Sequence, residues 1–248
     1  REPLEVMQRN LDGTRTMLEA AAANQVPILL TSSSEVYGDG PVPFRETADV
    51  RPGAVQNVRG GYACAKAMGE WLALASSQQH GLPAVVVRLF NVVGARQSGA
   101  YGMVLPRFLA QALTGEPLTV FGDGTQTRCF AAVDEVVLAL AQLLGEPRAR
   151  GLVVNVGSDR EVAVSALAAV VQRATGGQSP IRHVPLAEVF PRGFVDPPRR
   201  VPCLERLRDL LGWVPARPIE AIVADLAASQ HLLRLQPEVA QPALVRRP

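Results

Sequence analysis

Two short runs of almost unbroken apolar residues constrain this chain more than anything else in it. They are Pro27-Ile28-Leu29-Leu30-Thr31 and Pro83-Ala84-Val85-Val86-Val87-Arg88-Leu89-Phe90. Neither alternates apolar with polar, so both read as strands buried on two faces, the condition of a parallel sheet covered by helices. A helical pattern precedes each. Leu4, Met7, Leu11, Thr14, Leu18 and Ala21 mark one face of a helix from about Pro3 to Ala23, and a second helix runs from Tyr62 to near His80-Gly81. The order helix, strand, helix, strand predicts an α/β fold with crossover helices.

Both strands close in polar residues. The first leads into Ser32-Ser33-Ser34-Glu35-Val36-Tyr37-Gly38 and the second into Asn91 and then Gly94-Ala95-Arg96. Carboxyl ends of buried parallel strands are where open α/β folds place ligands. The serine run also suits a turn that uses hydroxyls for local backbone hydrogen bonds. Between the strands, after a Gly- and Pro-rich loop from Asp39 to Gly60, Tyr62 and Lys66 lie one helical turn apart on one face. A phenol with its pKa drawn below the usual value of about 10 could move protons, and a neighbouring ammonium favours that. Tyrosine and lysine at this spacing also occur by chance in many helices.

Further along the order is less regular. Gln97 to Gly102 reads as a flexible loop, Leu105 to Leu113 as a helix, and Leu118-Thr119-Val120-Phe121 as a strand ended by Gly122-Asp123-Gly124. Asp134 suits the N-cap of a helix from Glu135 to Leu144. Gly151 to Val156 and Ile181 to Val184 read as strands, Ser165 to Ala174 as a helix stopped by Gly176-Gly177, and Leu204 to Leu211 and Ile219 to Ser229 as amphipathic helices. The expected division is a core over 1–100, a lobe over 101–235 with about 125–157 returning to the core sheet, and a disordered tail over 236–248.

The formal charge of +2 shows no basic run before the last residues, which argues against a nucleic-acid partner. No apolar run reaches membrane-spanning length. Cys64, Cys129 and Cys203 are far apart and suggest reduced thiols in a cytoplasmic protein. His80, His183 and His231 are equally scattered, too few for a zinc site or a Ser-His-Asp triad.

Four islands in fixed order carry a resemblance. They are Thr31 to Gly38, Tyr62-x-x-x-Lys66, Arg88-Leu89-Phe90-Asn91-Val92-Val93-Gly94-Ala95-Arg96, and Leu118 to Arg128. With Arg200-Val201-Pro202 and Leu211-Gly212-Trp213-Val214-Pro215, the chain resembles the extended short-chain dehydrogenase/reductase family, in particular its nucleotide-sugar epimerases, dehydratases and decarboxylases. The resemblance implies the later half of a Rossmann-type sheet with a small C-terminal α+β substrate lobe. It implies NAD as cofactor, a nucleotide sugar, UDP-linked, as substrate, and a homodimer through the helices Leu4–Ala23 and Tyr62–Ser77.

Site roles are likewise implied by position. Tyr62 is the base, Lys66 binds the nicotinamide ribose and lowers the tyrosine's pKa, and Ser33 shares the hydroxyl proton. Ser34 and Glu35 stand where decarboxylases and dehydratases carry a further proton step, with Glu35 either a shuttle or a structural acceptor. Asn10, Thr31 and Phe90 resemble positions beside the nicotinamide. Asn91, Leu105, Thr119, Phe121, Arg128 and Arg200 match positions holding the nucleotide and its diphosphate.

Two departures stand out. Cys203 replaces an aspartate of the family's ending, and the glycine-rich G-x-x-G-x-x-G loop that cradles the cofactor pyrophosphate is absent. By analogy the chain starts near the fourth crossover helix, as a piece of a longer protein or as a short paralogue. The implied activities are 4-epimerisation through a 4-keto sugar first, UDP-glucuronate decarboxylation or 4,6-dehydration second, and a remnant without cofactor as a reading of another class.

Overall fold

The computed structural model describes residues 3–56, 58–97, 103–189 and 197–229. The expected loop over 98–102 and tail over 236–248 lie outside them. Strands are β1 Ile28–Ser33, β2 Ala84–Leu89, β3 Val92–Val93, β4 Leu118–Phe121, β5 Thr127–Cys129, β6 Ala131–Ala132, β7 Val153–Val156, β8 Glu161–Ala163 and β9 Ile181–Val184. Helices are α1 Pro3–Asn24, α2 Val58–His80, α3 Val104–Thr114, α4 Val133–Gly145, α5 Val164–Ala174, α6 Leu186–Val189, α7 Glu205–Leu211 and α8 Ile219–Ala228. A 3-10 turn, Ser34–Tyr37, follows β1 directly.

The chain divides into two units. The first comprises 1–92, 134–159 and 200–215, the second 93–133, 160–199 and 216–248. These boundaries differ from the division expected at 100/101. Residues 200–215 belong to the first unit because they are sewn to its loop: Phe44 N–H donates to Val201 O at 2.8 Å and Cys203 N–H to Phe44 O at 2.8 Å.

In the first unit β1, β2 and β7 form a parallel sheet in the order β1-β2-β7. Central β2 is buried through Val87, as the aliphatic run requires. β1 corrects the expectation. Ile28, Leu29 and Leu30 are only half-buried and Thr31 is exposed, since among the described residues β1 is paired on one side, with β2. Leu18, Ala21, Ala73, Leu82, Ala84 and Val86 form the core under α1 and α2. Burying these methyl and methylene groups is the main stabilising term, about 25 cal/mol for each Å² removed from water. The stripe predicted on α1 is buried at Leu18 and Ala21 only, and Leu4 at its start is exposed. A second correction concerns Asp134. Its helix begins at Val133, two residues before the expected start at Glu135, so Asp134 sits in the first turn, where a carboxylate complements the helix dipole, and its Oδ1 accepts from Glu135 N–H.

The second unit packs α3, α5 and α8 with β4 and β9 around Leu105, Phe108, Leu118, Val120, Leu167 and Val223. α3 ends on Gly115 at φ 76°, a left-handed cap that glycine adopts without strain.

Candidate active site

The carboxyl end of β1 builds the site in the first unit. Ser33 is extended at φ −143° and caps the 3-10 turn, its Oγ accepting from Glu35 N–H at 3.2 Å. The turn reading of the serine run holds: a local backbone cap places Ser33, buried Ser34 and Glu35 at the end of a parallel strand, where open α/β folds place ligands. Glu35 meets Arg200. The two guanidinium Nη atoms donate to its two carboxylate oxygens at 2.6 and 3.2 Å, a bidentate pair with Arg200 buried and Glu35 half-buried. The residues expected as proton relay and diphosphate holder are thus partners in this structure.

α2 brings Tyr62 and Lys66 to the same strand. Lys66 Nζ donates to Thr31 O at 3.0 Å and lies 5.9 Å from the centre of the Tyr62 ring. Burial pushes the Tyr62 phenol above its ordinary value, the Ser33 hydroxyl pulls it down, and the negative charge of Glu35 pushes it up. The expected depression of its pKa is therefore not present in the protein alone. The lowering influence comes from Ser33 rather than from Lys66, whose own pKa burial draws down.

Two residues expected beside the nicotinamide have other placements. The Phe90 ring is buried with Tyr37 and Phe44, at 6.2 Å from each ring centre, and Phe90 N–H donates to Val156 O. Asn10 Nδ2 donates to Val6 O one turn back within α1. Asn91 follows β2 and is half-buried.

The expected nucleotide positions Leu105, Thr119, Phe121 and Arg128 belong to the second unit. Leu105 is buried in its core, and Arg128 Nη1 donates to Thr127 O at 2.7 Å. Two α3 residues that the sequence reading passed over organise this region. Gln111 Oε1 accepts from Thr119 N–H at 3.0 Å, and Arg107 Nη2 donates to Thr119 O at 3.1 Å. The Arg107 guanidinium also lies 3.9 Å from the centre of the Phe121 ring. Burial pulls Arg107 down to about 10, so it remains a cation at neutral pH. Arg107 and Gln111 are four apart on a helix, and that spacing was the available signal.

The residues that could hold the nicotinamide end of NAD are Lys66, whose ammonium gives one donor to Thr31 O and carries three in all, and Tyr62 one turn away. For the pyrophosphate no glycine-rich cradle occurs in the sequence.

The profile of the "NAD dependent epimerase/dehydratase family" matches residues 1–157. Over 213 residues the chain is 39% identical to UDP-N-acetyl-alpha-D-glucosaminuronate decarboxylase from Bacillus cytotoxicus, covering 86% of this chain and 66% of that protein. It is 36% identical over 216 residues to UDP-glucuronic acid decarboxylase 3 of Arabidopsis thaliana, covering 86% and 60%. It thus spans less than two thirds of the length of these relatives. Among solved structures it resembles UDP-glucose 4-epimerase from Thermotoga maritima with UDP-glucose, at a TM-score of 0.82 and 26% identity over 93% of this chain and 72% of that one. It also resembles UDP-N-acetylglucosamine 4-epimerase from Methanobrevibacter ruminantium, at 0.82 and 25% over 93% and 71%.

Proposed function

The chain belongs to the NAD dependent epimerase/dehydratase family, and from that premise we propose that it carries the catalytic residues of a UDP-uronate decarboxylase. The observation that carries this reading is the Glu35–Arg200 pair beside Tyr62 and Ser33. A buried guanidinium that already holds a carboxylate bidentately is preorganised to hold a substrate carboxylate in the same geometry. The relatives named as decarboxylases act on sugars that carry such a group, and they support the same choice.

Lys66 and Tyr62 would hold the nicotinamide end of NAD, which would supply a hydride acceptor for C4 of the sugar. Tyr62 takes the C4 hydroxyl proton and Ser33 steadies that hydroxyl. The C5 carboxylate exchanges with Glu35 on Arg200 and now lies β to a ketone. The C5–C6 bond breaks, its electron pair delocalises into the C4 carbonyl, carbon dioxide leaves and C5 takes a proton. Glu35, released from Arg200 as a carboxylate, would take a proton from solvent and pass it to C5, and C4 would then regain its hydride and, from Tyr62, its proton.

A second reading, 4-epimerisation, is favoured by the likeness to solved UDP-sugar 4-epimerases. It requires Tyr62 and Ser33 but no carboxylate receptor. The test is incubation with NAD and UDP-glucuronate or UDP-N-acetylglucosaminuronate, trapping carbon dioxide, beside UDP-glucose assayed for its 4-epimer. Carbon dioxide release lost in Arg200→Met supports decarboxylation. Epimer formation unaffected by that change supports the second reading. No turnover of any of the three by the complete protein supports a remnant.

A further inference from the structure

Across the sheet of the first unit runs one polar row. Ser32 of β1 stands in register with Arg88 of β2, and Arg88 with Asn155 of β7. All three are buried within strands that are otherwise largely aliphatic. Glu70 of α2, also buried, reaches the first two: Ser32 Oγ donates to its Oε1 at 2.5 Å, and Arg88 donates through Nε at 3.0 Å and Nη2 at 2.7 Å. The Arg88 guanidinium lies 4.6 Å from the Tyr37 ring centre, and Tyr37 OH donates to Asn155 Oδ1 at 2.7 Å. A carboxylate and a guanidinium are taken out of water here, at a desolvation cost that hydrophobic residues of equal volume would avoid.

We propose that Glu70 is a positioning residue of the site, pinning the fourth turn of α2 to the register row of β1 and β2 and so holding Tyr62 against Ser33. Tyr62, Lys66 and Glu70 follow at four-residue intervals on one helix face. Three successive turns engage three neighbouring residues at the end of β1: Glu70 takes Ser32, Lys66 takes Thr31 O, and Tyr62 feels the Ser33 hydroxyl. Ser32 is the residue before Ser33, so the strap acts one position from the group that must be placed. The charged groups around Tyr62 are Lys66 from its own helix and Glu35, with Arg200 bonded to it, from the turn and the 200–203 segment. None of them is touched by a change at Ser32.

The proposal rests on Tyr62 being the base, and its test has two readouts. Ser32→Ala removes only the strap and leaves the Glu70–Arg88 pair in place. It is chosen for that reason, since Glu70→Gln would strand a buried cation and could unfold the chain. In Ser32→Ala the tyrosinate absorbance of Tyr62, isolated by difference against Tyr62→Phe, should titrate at higher pH. In the complete enzyme kcat should fall by about ten- to a hundredfold with KM little changed. Ser32→Thr, which keeps the hydroxyl, should restore both. If Ser32→Ala leaves the titration and kcat as in the parent and only lowers thermal stability, the pair is structural and the proposal fails. If no UDP sugar is turned over at all, the functional reading fails, and the titration alone still decides the placement of Tyr62.

Discussion

At Tyr62 burial and the Glu35 charge raise the phenol's pKa while the Ser33 hydroxyl lowers it. Tyr62→Phe keeps the ring and removes the ionisable oxygen. General-base contributions run to about a hundredfold or more, so turnover of the complete enzyme should fall at least that far with the circular dichroism spectrum unchanged. Glu35→Gln should act differently. The Glu35 charge raises the Tyr62 pKa, so neutralising it favours phenolate and moves the Tyr62 absorbance titration to lower pH. A titration that moved up or stayed in place would contradict the assigned contact. In the same variant carbon dioxide release should drop sharply, because an amide cannot deliver the proton to C5. A 4-epimerase would retain activity within about tenfold. Both predictions concern residues visible in the sequence, since a hydroxyl-rich break after an aliphatic strand and a Tyr–Lys pair at helical spacing are local patterns. Glu70, Arg107 and Gln111 were not legible. Each has its partner across the fold or one element away, so its burial depends on tertiary packing. Arg88 did leave a trace. A charged residue inside a buried aliphatic strand requires a partner, and Glu70 is that partner.

The element that most needs explaining is the 200–203 segment, which carries Arg200 to the site from far along the chain. Asn155 on β7 holds it there. Asn155 Nδ2 donates to Phe44 O at 2.9 Å and to Cys203 O at 3.2 Å, and Asn155 N–H donates to Glu46 at 3.0 Å. Asn155→Leu would leave Tyr37 OH and these carbonyls without their buried donor or acceptor, at about 1–3 kcal/mol per stranded group. The urea midpoint should fall accordingly, and Arg200 should lose its hold on Glu35 even where the fold persists. Strand β2 and helices α1 and α2 were readable from periodicity alone. The 3-10 turn and the Phe44–Pro202 bridge were not, because neither has a repeating pattern. On α1 and α2, Leu4, Met17, Met68 and Trp71 remain exposed. The proposed homodimer through these helices would cover them. Trp71→Glu should then shift the protein to monomer in sedimentation velocity, and an unchanged mass would remove that interface from consideration.

For the molecule as a whole, the expected nucleotide positions divide between the units: Asn91 and Arg200 fall in the first with Tyr62, Ser33 and Glu35, and Leu105, Thr119, Phe121 and Arg128 in the second. The exact boundaries escaped sequence reasoning because the first unit is assembled from three stretches of chain. Cofactor binding is the property to measure at this scale. The 248-residue chain offers groups for the nicotinamide ribose but no glycine-rich cradle for the pyrophosphate. Purified as such, it should lose NAD on gel filtration, and stoichiometric retention would show that some other group holds the diphosphate. The position of β1 has a colloidal consequence as well. Ile28 N–H donates to Pro83 O, so strand alternation turns the amides of Leu30 and Ser32 toward β2 and those of Leu29, Thr31 and Ser33 away from it. In the 248-residue chain purified by itself, a strand paired on one side among the described residues, with half-buried aliphatics and outward amides, is a template on which another chain can nucleate. Light scattering of concentrated, warmed solutions should therefore rise with protein concentration, and Leu29→Lys, a gatekeeper charge on that edge, should delay its onset.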